Sequence, residues 1–217
     1  MSIKDIILFP FGGNTKEAIT CIERINDQSK RWNIVGIIDD NQKLHGQSYA
    51  GVKILGGRDQ IANYPDANFL VAQGNPDNFL KRESVLDSLN LPKARLATII
   101  DPSAVVSSQT QVGENCLIMA GVVLTSNCKI GNNCVILPNT VISHDSEIED
   151  FNLIGSNVTI SGNVKIAENS YIGSGVKIIN GVTVGSEILV GIGSTVVKSI
   201  TQKGIYIGSP AKFLKSF

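Results

Sequence analysis

The chain has 217 residues, only two histidines and four cysteines, so few of its side chains can exchange a proton near neutral pH. His144 stands directly before Asp145. An imidazole is a suitable general base at neutral pH, and a carboxylate beside it holds one tautomer and stabilises the imidazolium. The bland alternative for His144 is an ordinary surface histidine at a corner. His45 lies in a polar stretch, residues 41–51, and reads as a solvated loop residue. Cys21, Cys116, Cys128 and Cys134 form no C-x-x-C pair, so neither a zinc site nor a redox motif is expected.

A repeat must position His144. Every sixth residue from Ile100 to Val196 is Ile, Val or Leu, seventeen in a row. Neither a period of two nor one of 3.6 picks out such a series, so it signals one structural unit stacked many times. Four residues after each comes a second series, mostly small, that includes Cys116, Cys128, Cys134, Thr140, Ser146 and Ser170. A large aliphatic at position one and a small residue at position five describe the inward sites of a flat face. Three such faces close an eighteen-residue triangular coil, and successive coils stack as parallel strands about 4.8 Å apart. The prediction is an uninterrupted β-helix of about five coils. His144 falls at position three, pointing outward. Cys116, Cys128 and Cys134 become small buried hydrophobes, and Cys21 is expected to be buried in a helix. Glycine often follows the large aliphatic (Gly113, Gly131, Gly155, Gly173, Gly185, Gly191), which reads as a need for φ > 0 at sharp corners.

The first hundred residues read differently. Residues 5–11 form a strand, 12–14 a turn, and 15–29 a helix with Thr15 as its N-cap. Residues 33–38 and 69–72 read as further strands, and 76–89 as a second helix with Pro76 in its first turn. Such alternation predicts a small parallel sheet. Ligands bind beyond the carboxyl ends of such strands, where Gly12-Gly13-Asn14, Asp39-Asp40 and Gly74-Asn75 fall. Glycines admit a phosphate or base close to the backbone, a helix N-terminus favours anions, and carboxylates accept bonds from a ribose or base. Together the three loops read as a nucleotide-sugar pocket, with a purely structural cap on the β-helix as the alternative.

The repeat over residues 100–200 resembles the hexapeptide-repeat acyltransferases, whose β-helix is left-handed. Its pairing with the α/β unit resembles the bacterial acetyltransferases of nucleotide-linked 4-amino sugars and the related sialic-acid O-acetyltransferases. The family's Gly-x-Gly-Gly-His-Gly run reads Pro10-Phe11-Gly12-Gly13-Asn14-Thr15 here, and Gly208-Ser209-Pro210-Ala211 matches its Gly-x-Pro-Ala turn. The resemblance implies a mostly β fold: a Rossmann-like nucleotide-sugar-binding domain at 1–98, then a left-handed parallel β-helix at 99–217. It implies that Gly12, Gly13, Asn14, Asp39, Asp40 and Gly74 bind the substrate. It implies His144 as the general base and Asp145, often Glu in the family, as its orienting partner. Gly162, Ser174 and Ile192 match places that contact acetyl-coenzyme A, and Leu153 a position near the thioester that is often histidine. The co-substrate lies between two β-helices, so a homotrimer is implied. The implied activity moves acetyl from acetyl-CoA to the amine of a nucleotide-linked amino sugar, directly, in a ternary complex. The alternatives are O-acetylation of a sugar hydroxyl and a non-catalytic scaffold.

Composition excludes other classes. Lys plus Arg and Asp plus Glu both number 19, and no basic run tracks a phosphate backbone, so no nucleic-acid partner is expected. The apolar run at residues 6–11 is too short for a membrane span and lacks the features of a secretory signal, so the expected compartment is the cytosol. A β-helical carbonic anhydrase would need several histidines on zinc, which His144 alone cannot supply; no metal is expected.

Overall fold

The computed structural model describes residues 3–217. The N-terminal part is a five-stranded sheet in the order β3-β4-β2-β1-β5, where β1 is Lys4–Phe9, β2 Trp32–Ile38, β3 Ser48–Tyr49, β4 Val52–Gly56 and β5 Asn68–Val71. All pairs are parallel except β3–β4. Ile6, Ile7, Leu8 and Phe9 are all buried, as expected of a parallel strand covered on both faces. Helix α1 (Gly13–Gln28) packs Ala18, Ile19, Cys21 and Ile22 on this sheet.

Three local expectations change. Thr15 does not cap α1: the helix begins at Gly13, and the Thr15 hydroxyl donates back to the Pro10 carbonyl. The second helix is shorter than expected, a 3-10 turn at Phe79–Lys81 running into α2 (Arg82–Asp87). The stretch read as a polar loop contains half of the β3–β4 hairpin, turned by Ala50 and Gly51 at φ 48° and 76°. Positive φ at both central residues gives the twist a two-residue hairpin needs, and alanine is a weak sequence signal for it.

From Ile99–Ile100 to Thr195–Val196 the chain coils without excursion. Each short strand pairs in parallel with the one eighteen residues on, as Val123 with Val141, Lys129 with Glu147 and Val135 with Leu153. Three flat faces result. One bears Leu117, Val135, Leu153 and Tyr171 as its outward residues, the second Val105, Val123, Val141 and Thr159, the third Gln111, Lys129, Glu147 and Lys165. They are called here the covered, valine and charged faces.

The interior holds the predicted residues. Ile118, Leu124, Ile136, Ile142, Ile154 and Ile160 are wholly buried. Ile100, Val106 and Val112 are partly buried because the first coil has a neighbouring coil on one side only. The small inward slots staple coil to coil. The Thr140 hydroxyl donates to the Gly155 carbonyl at 2.7 Å and accepts from Val158 N–H at 3.1 Å. Ser146 and Ser170 repeat the arrangement. In the equivalent slots the Cys116, Cys128 and Cys134 thiols donate to the carbonyls of Gly131, Ser143 and Glu149. All four cysteines are free and buried. At Cys21, burial and the nearby Asp101 push the thiol up to about 12.

The glycine expectation needs correction. None of the six glycines that follow the large aliphatic has positive φ. They are needed because the next coil passes too close: a Cβ on Gly113 would lie 2.7 Å from the Gly131 carbonyl carbon, and one on Gly155 would lie 2.4 Å from Ser174 N. The left-handed residue comes two places later, at Asn127, Asn133, Asn139, Asp145, Asn157, Asn163 and Asn169, with φ from 54° to 61°. Asparagine and aspartate tolerate that conformation best among the residues with side chains.

The sheet lies on the covered face. Leu117, Met119, Val135 and Leu153 share one core with Ile6, Leu8, Ala18, Ile19 and Ile22. The Asn115 carboxamide completes the edge of β5, accepting from Val71 N–H at 2.8 Å and donating to Val71 C=O at 3.1 Å. The buried Arg82 guanidinium donates to the carbonyls of Gln73, Asn133 and Phe151, each at 2.6 Å. Burial lowers its pKa to about 10. Among the described residues no helix is long and apolar enough to cross a membrane.

Candidate active site

His144 sits at the edge where the valine face turns into the charged face, with 59% of its side chain exposed. Its Nδ1 lies 2.8 Å from Asp145 Oδ2. The other carboxylate oxygen, Oδ1, accepts from the Asn127 amide at 2.7 Å, from the same corner one coil earlier. These two bonds, Asn127 first, hold the Asp145 carboxyl below the usual carboxylate range. With Nδ1 committed to Asp145, Nε2 is the ring nitrogen left to exchange a proton, and among the described residues it has no hydrogen-bond partner. Gly162, eighteen residues on, lies against the ring: a Cβ there would be 2.6 Å from both Cε1 and Nε2. Any side chain at this position would displace the imidazole.

Ser174 and Ile192 lie on the neighbouring edge, between the covered and valine faces. Ser174 Oγ accepts from Ser156 N–H at 3.2 Å, and Ile192 is 81% exposed. The strand Thr159–Ile160 separates that edge from Gly162. Leu153 is elsewhere: it is 2% exposed, and its Cδ1 packs against Gly74 in the seam between sheet and β-helix. The fold therefore brings Gly162 to His144, sets Ser174 and Ile192 one face-width away, and buries Leu153.

Gly12, Gly13, Asn14 and Gly74 converge on a cavity of about 370 Å³ at the carboxyl ends of β1 and β5. Asn14 bridges the two loops, donating to the carbonyls of Ala72 at 2.9 Å and Gly74 at 3.2 Å. Asp39 and Asp40 do not line this cavity. The buried Asp39 carboxylate accepts from Phe11 N–H at 2.9 Å and from Asn41 N–H at 2.7 Å, so it fixes the loop that forms the cavity wall. Asp40 pairs with Arg58 at 3.1 Å, which holds its carboxyl below the ordinary range. His45 is exposed, and its Nε2 is 2.8 Å from the Asp39 carbonyl. Lys16, in the first turn of α1, lies over the Phe11 and Tyr49 rings at 5.2 and 5.0 Å. Among the described residues no three His, Cys, Asp or Glu side chains group as a metal site would require.

Sequence reading missed Asn127, whose role appears only when coils are stacked, and Arg82, which looks like any surface arginine of a short helix. The eighteen-residue coil spacing was the available signal for Asn127.

A family model described as bacterial transferase hexapeptide (six repeats) matches residues 109–144, 127–162 and 145–180. Together these matches span residues 109–180, within the coiled part of the chain. No curated protein matches it. PerB from Caulobacter crescentus, solved in complex with CoA and GDP-perosamine, is 27% identical, with a TM-score of 0.84 over 98% of this chain and 97% of that one. A single-histidine variant of perosamine N-acetyltransferase from the same organism, also with CoA and GDP-perosamine, is 25% identical with a TM-score of 0.85 over the same shares. The acetyltransferase domain of PglB from Neisseria gonorrhoeae shares the fold, with a TM-score of 0.83 over 97% of this chain and 100% of that one at 24% identity. In these proteins, as here, an N-terminal segment accompanies the array, since coverage is nearly complete both ways.

Proposed function

We propose that this chain is an acetyl-CoA-dependent acetyltransferase acting on the amine of a nucleotide-linked amino sugar in the cytosol. The observation that carries the reading is the His144–Asp145 pair on an exposed edge of a hexapeptide array, with Nε2 outward and Gly162 beneath the ring. In the proposed reaction the sugar amine attacks the thioester carbonyl while His144 Nε2 takes its proton. The Gly162 N–H has no acceptor in the chain among the described residues and lies on the residue packed against the ring, so it is the donor for the oxyanion. Collapse of the tetrahedral species expels the CoA thiolate, which receives the proton back from the imidazolium. The transfer is direct, because every cysteine is buried and none faces His144. No metal takes part.

The acceptor's place is the cavity at Gly12, Gly13, Asn14 and Gly74 in a Rossmann-like nucleotide-binding domain, residues 1–98, with a left-handed β-helix domain at 99–217. The N-terminus of α1 carries no acidic residue in its first turn, which suits a diphosphate. Within one chain this cavity and His144 lie on opposite sides of the triangular coil, on the order of 15 Å apart for faces six residues wide. A partner copy resolves this separation by bringing its His144 edge to the cavity. The outward stripe of Val105, Val123 and Val141, uncovered in one chain, is the surface for it, in a homotrimer whose inter-array groove holds acetyl-CoA at Gly162, Ser174 and Ile192.

Incubation with acetyl-CoA and a panel of UDP-, GDP- and dTDP-linked 4-amino sugars, with free thiol followed over time, tests the activity. Thiol release with none of the panel would overturn the assignment. Light scattering that gives a monomer at micromolar concentration would overturn the trimer.

A further inference from the structure

We propose that Asn127 is the positioning residue of the His144–Asp145 pair: from the coil below, its carboxamide fixes the Asp145 carboxylate in the orientation that holds the imidazole. The inference rests on reading His144 as the base. Asn127 and Asp145 occupy the same left-handed corner one coil apart, with φ 57° and 58°. That backbone conformation lets the two side chains meet along the edge instead of across a face. The carboxylate is then divided, Oδ1 to Asn127 at 2.7 Å and Oδ2 to His144 at 2.8 Å. The Asp145 side chain is 45% exposed. A single bond to a still more exposed ring would leave its rotamer free, and a second bond from a neighbouring coil removes that freedom.

The same geometry also serves a purely structural ladder, as where Asn115 donates to Asn133 Oδ1 at 3.0 Å. The two roles differ in charge. At Asn115 both partners are neutral amides; at Asn127 the acceptor is an ion bound to an imidazole, and donation to it favours the ionised form. From the coil before, Ser126 and Asn127 face the pair, and from the coil after, Gly162 and Asn163; Cys128 turns inward. Among the described residues His144 is thus the one titratable group acting on this carboxylate.

Two variants test the assignment. Asn127→Gly keeps a residue at ease with positive φ and deletes the amide; Asn127→Asp keeps the shape and opposes a second carboxylate to the first. The Asp145 carboxyl carbon is followed by NMR against pH, assigned with Asp145→Asn. The wild type should titrate below the ordinary carboxylate range, Asn127→Gly should move up toward it, and Asn127→Asp further still. Both variants should lose about tenfold in kcat, with unchanged acceptor KM and unchanged melting temperature. An Asp145 titration that does not move in Asn127→Gly, or a full kcat, overturns the role. So does a fall in melting temperature with equal weakening of both substrates, which would mark a structural ladder. The NMR arm needs no substrate, so it judges Asn127 even if His144→Ala keeps its rate and the base reading itself falls.

Discussion

The covered face and the His144 edge are made by the same backbone repeat and have opposite fates. Inward, both obey one rule, a large aliphatic followed four places later by a small residue. Outward, the covered face carries Leu117, Val135, Leu153 and Tyr171 at eighteen-residue intervals and is sealed by the sheet. The edge carries Asn127, His144, Asp145 and Gly162, exposed or lying against an exposed ring. The coil is thus encoded by the inward positions together with the corner glycines and left-handed residues, and the remaining outward positions are free to specify either docking or chemistry. Substitutions on the two should separate stability from rate.

The largest effect is expected at the edge. His144→Ala should lower kcat by about 10² to 10⁴ while the melting temperature stays put, because no buried contact is lost. Turnover close to wild type would remove the distinction between the regions. On the covered face Leu117→Ala should do the reverse, costing about 2–5 kcal/mol in urea unfolding with kcat intact in the surviving folded fraction. Asp39→Ala lies between the two. It leaves the Phe11 and Asn41 N–H groups without their acceptor, about 1–3 kcal/mol in stability, and loosens the cavity wall. Calorimetry should therefore show a lower melting temperature together with a raised acceptor KM and an unchanged acetyl-CoA KM. Asp145→Asn should cost less than His144→Ala, since the ring survives but is poorly oriented. Its pH signature follows from the lowered carboxyl: the ionised form persists below the usual carboxylate range and is lost only as pH falls through that depressed value. Between neutral pH and about pH 4 the variant should lower the rate profile without adding a limb to it. The smallest effect belongs to the charged face, where Lys165→Ala, removing an exposed pair with Glu149, should leave melting temperature and rate unchanged.

Much of this was legible from one dimension. The period of six located the strands, the inward slots and the burial of Cys116, Cys128 and Cys134, because those positions see only their own repeat. The corners were misread: the glycine that follows the large aliphatic was credited with the left-handed turn, which comes two places later at asparagine, aspartate or another glycine such as Gly121 and Gly175, since the clash that demands the first glycine is with a coil eighteen residues away. The covered face was also written in the sequence, as an apolar outward residue at every eighteenth place, but the six-residue period masks it. In the cavity, Gly12, Gly13, Asn14 and Gly74 could be placed at strand ends from the alternation of elements. The partners of Asp39 and Asp40 could not. Phe11 N–H lies 28 residues from Asp39 and Arg58 lies 18 from Asp40, and tertiary packing alone brings them together.

Arg82 sets a condition on any attempt at modular exchange. One guanidinium reads three carbonyls, one from the cavity loop and two from successive corners of the array, and a bound Phe151 sits among the asparagine corners at φ 58°. An N-terminal unit grafted onto a foreign array would meet this lock without its key unless the recipient presents two corner carbonyls at the same height. The array is therefore a graduated rail, and Arg82 sets the notch at which the cavity loop meets it.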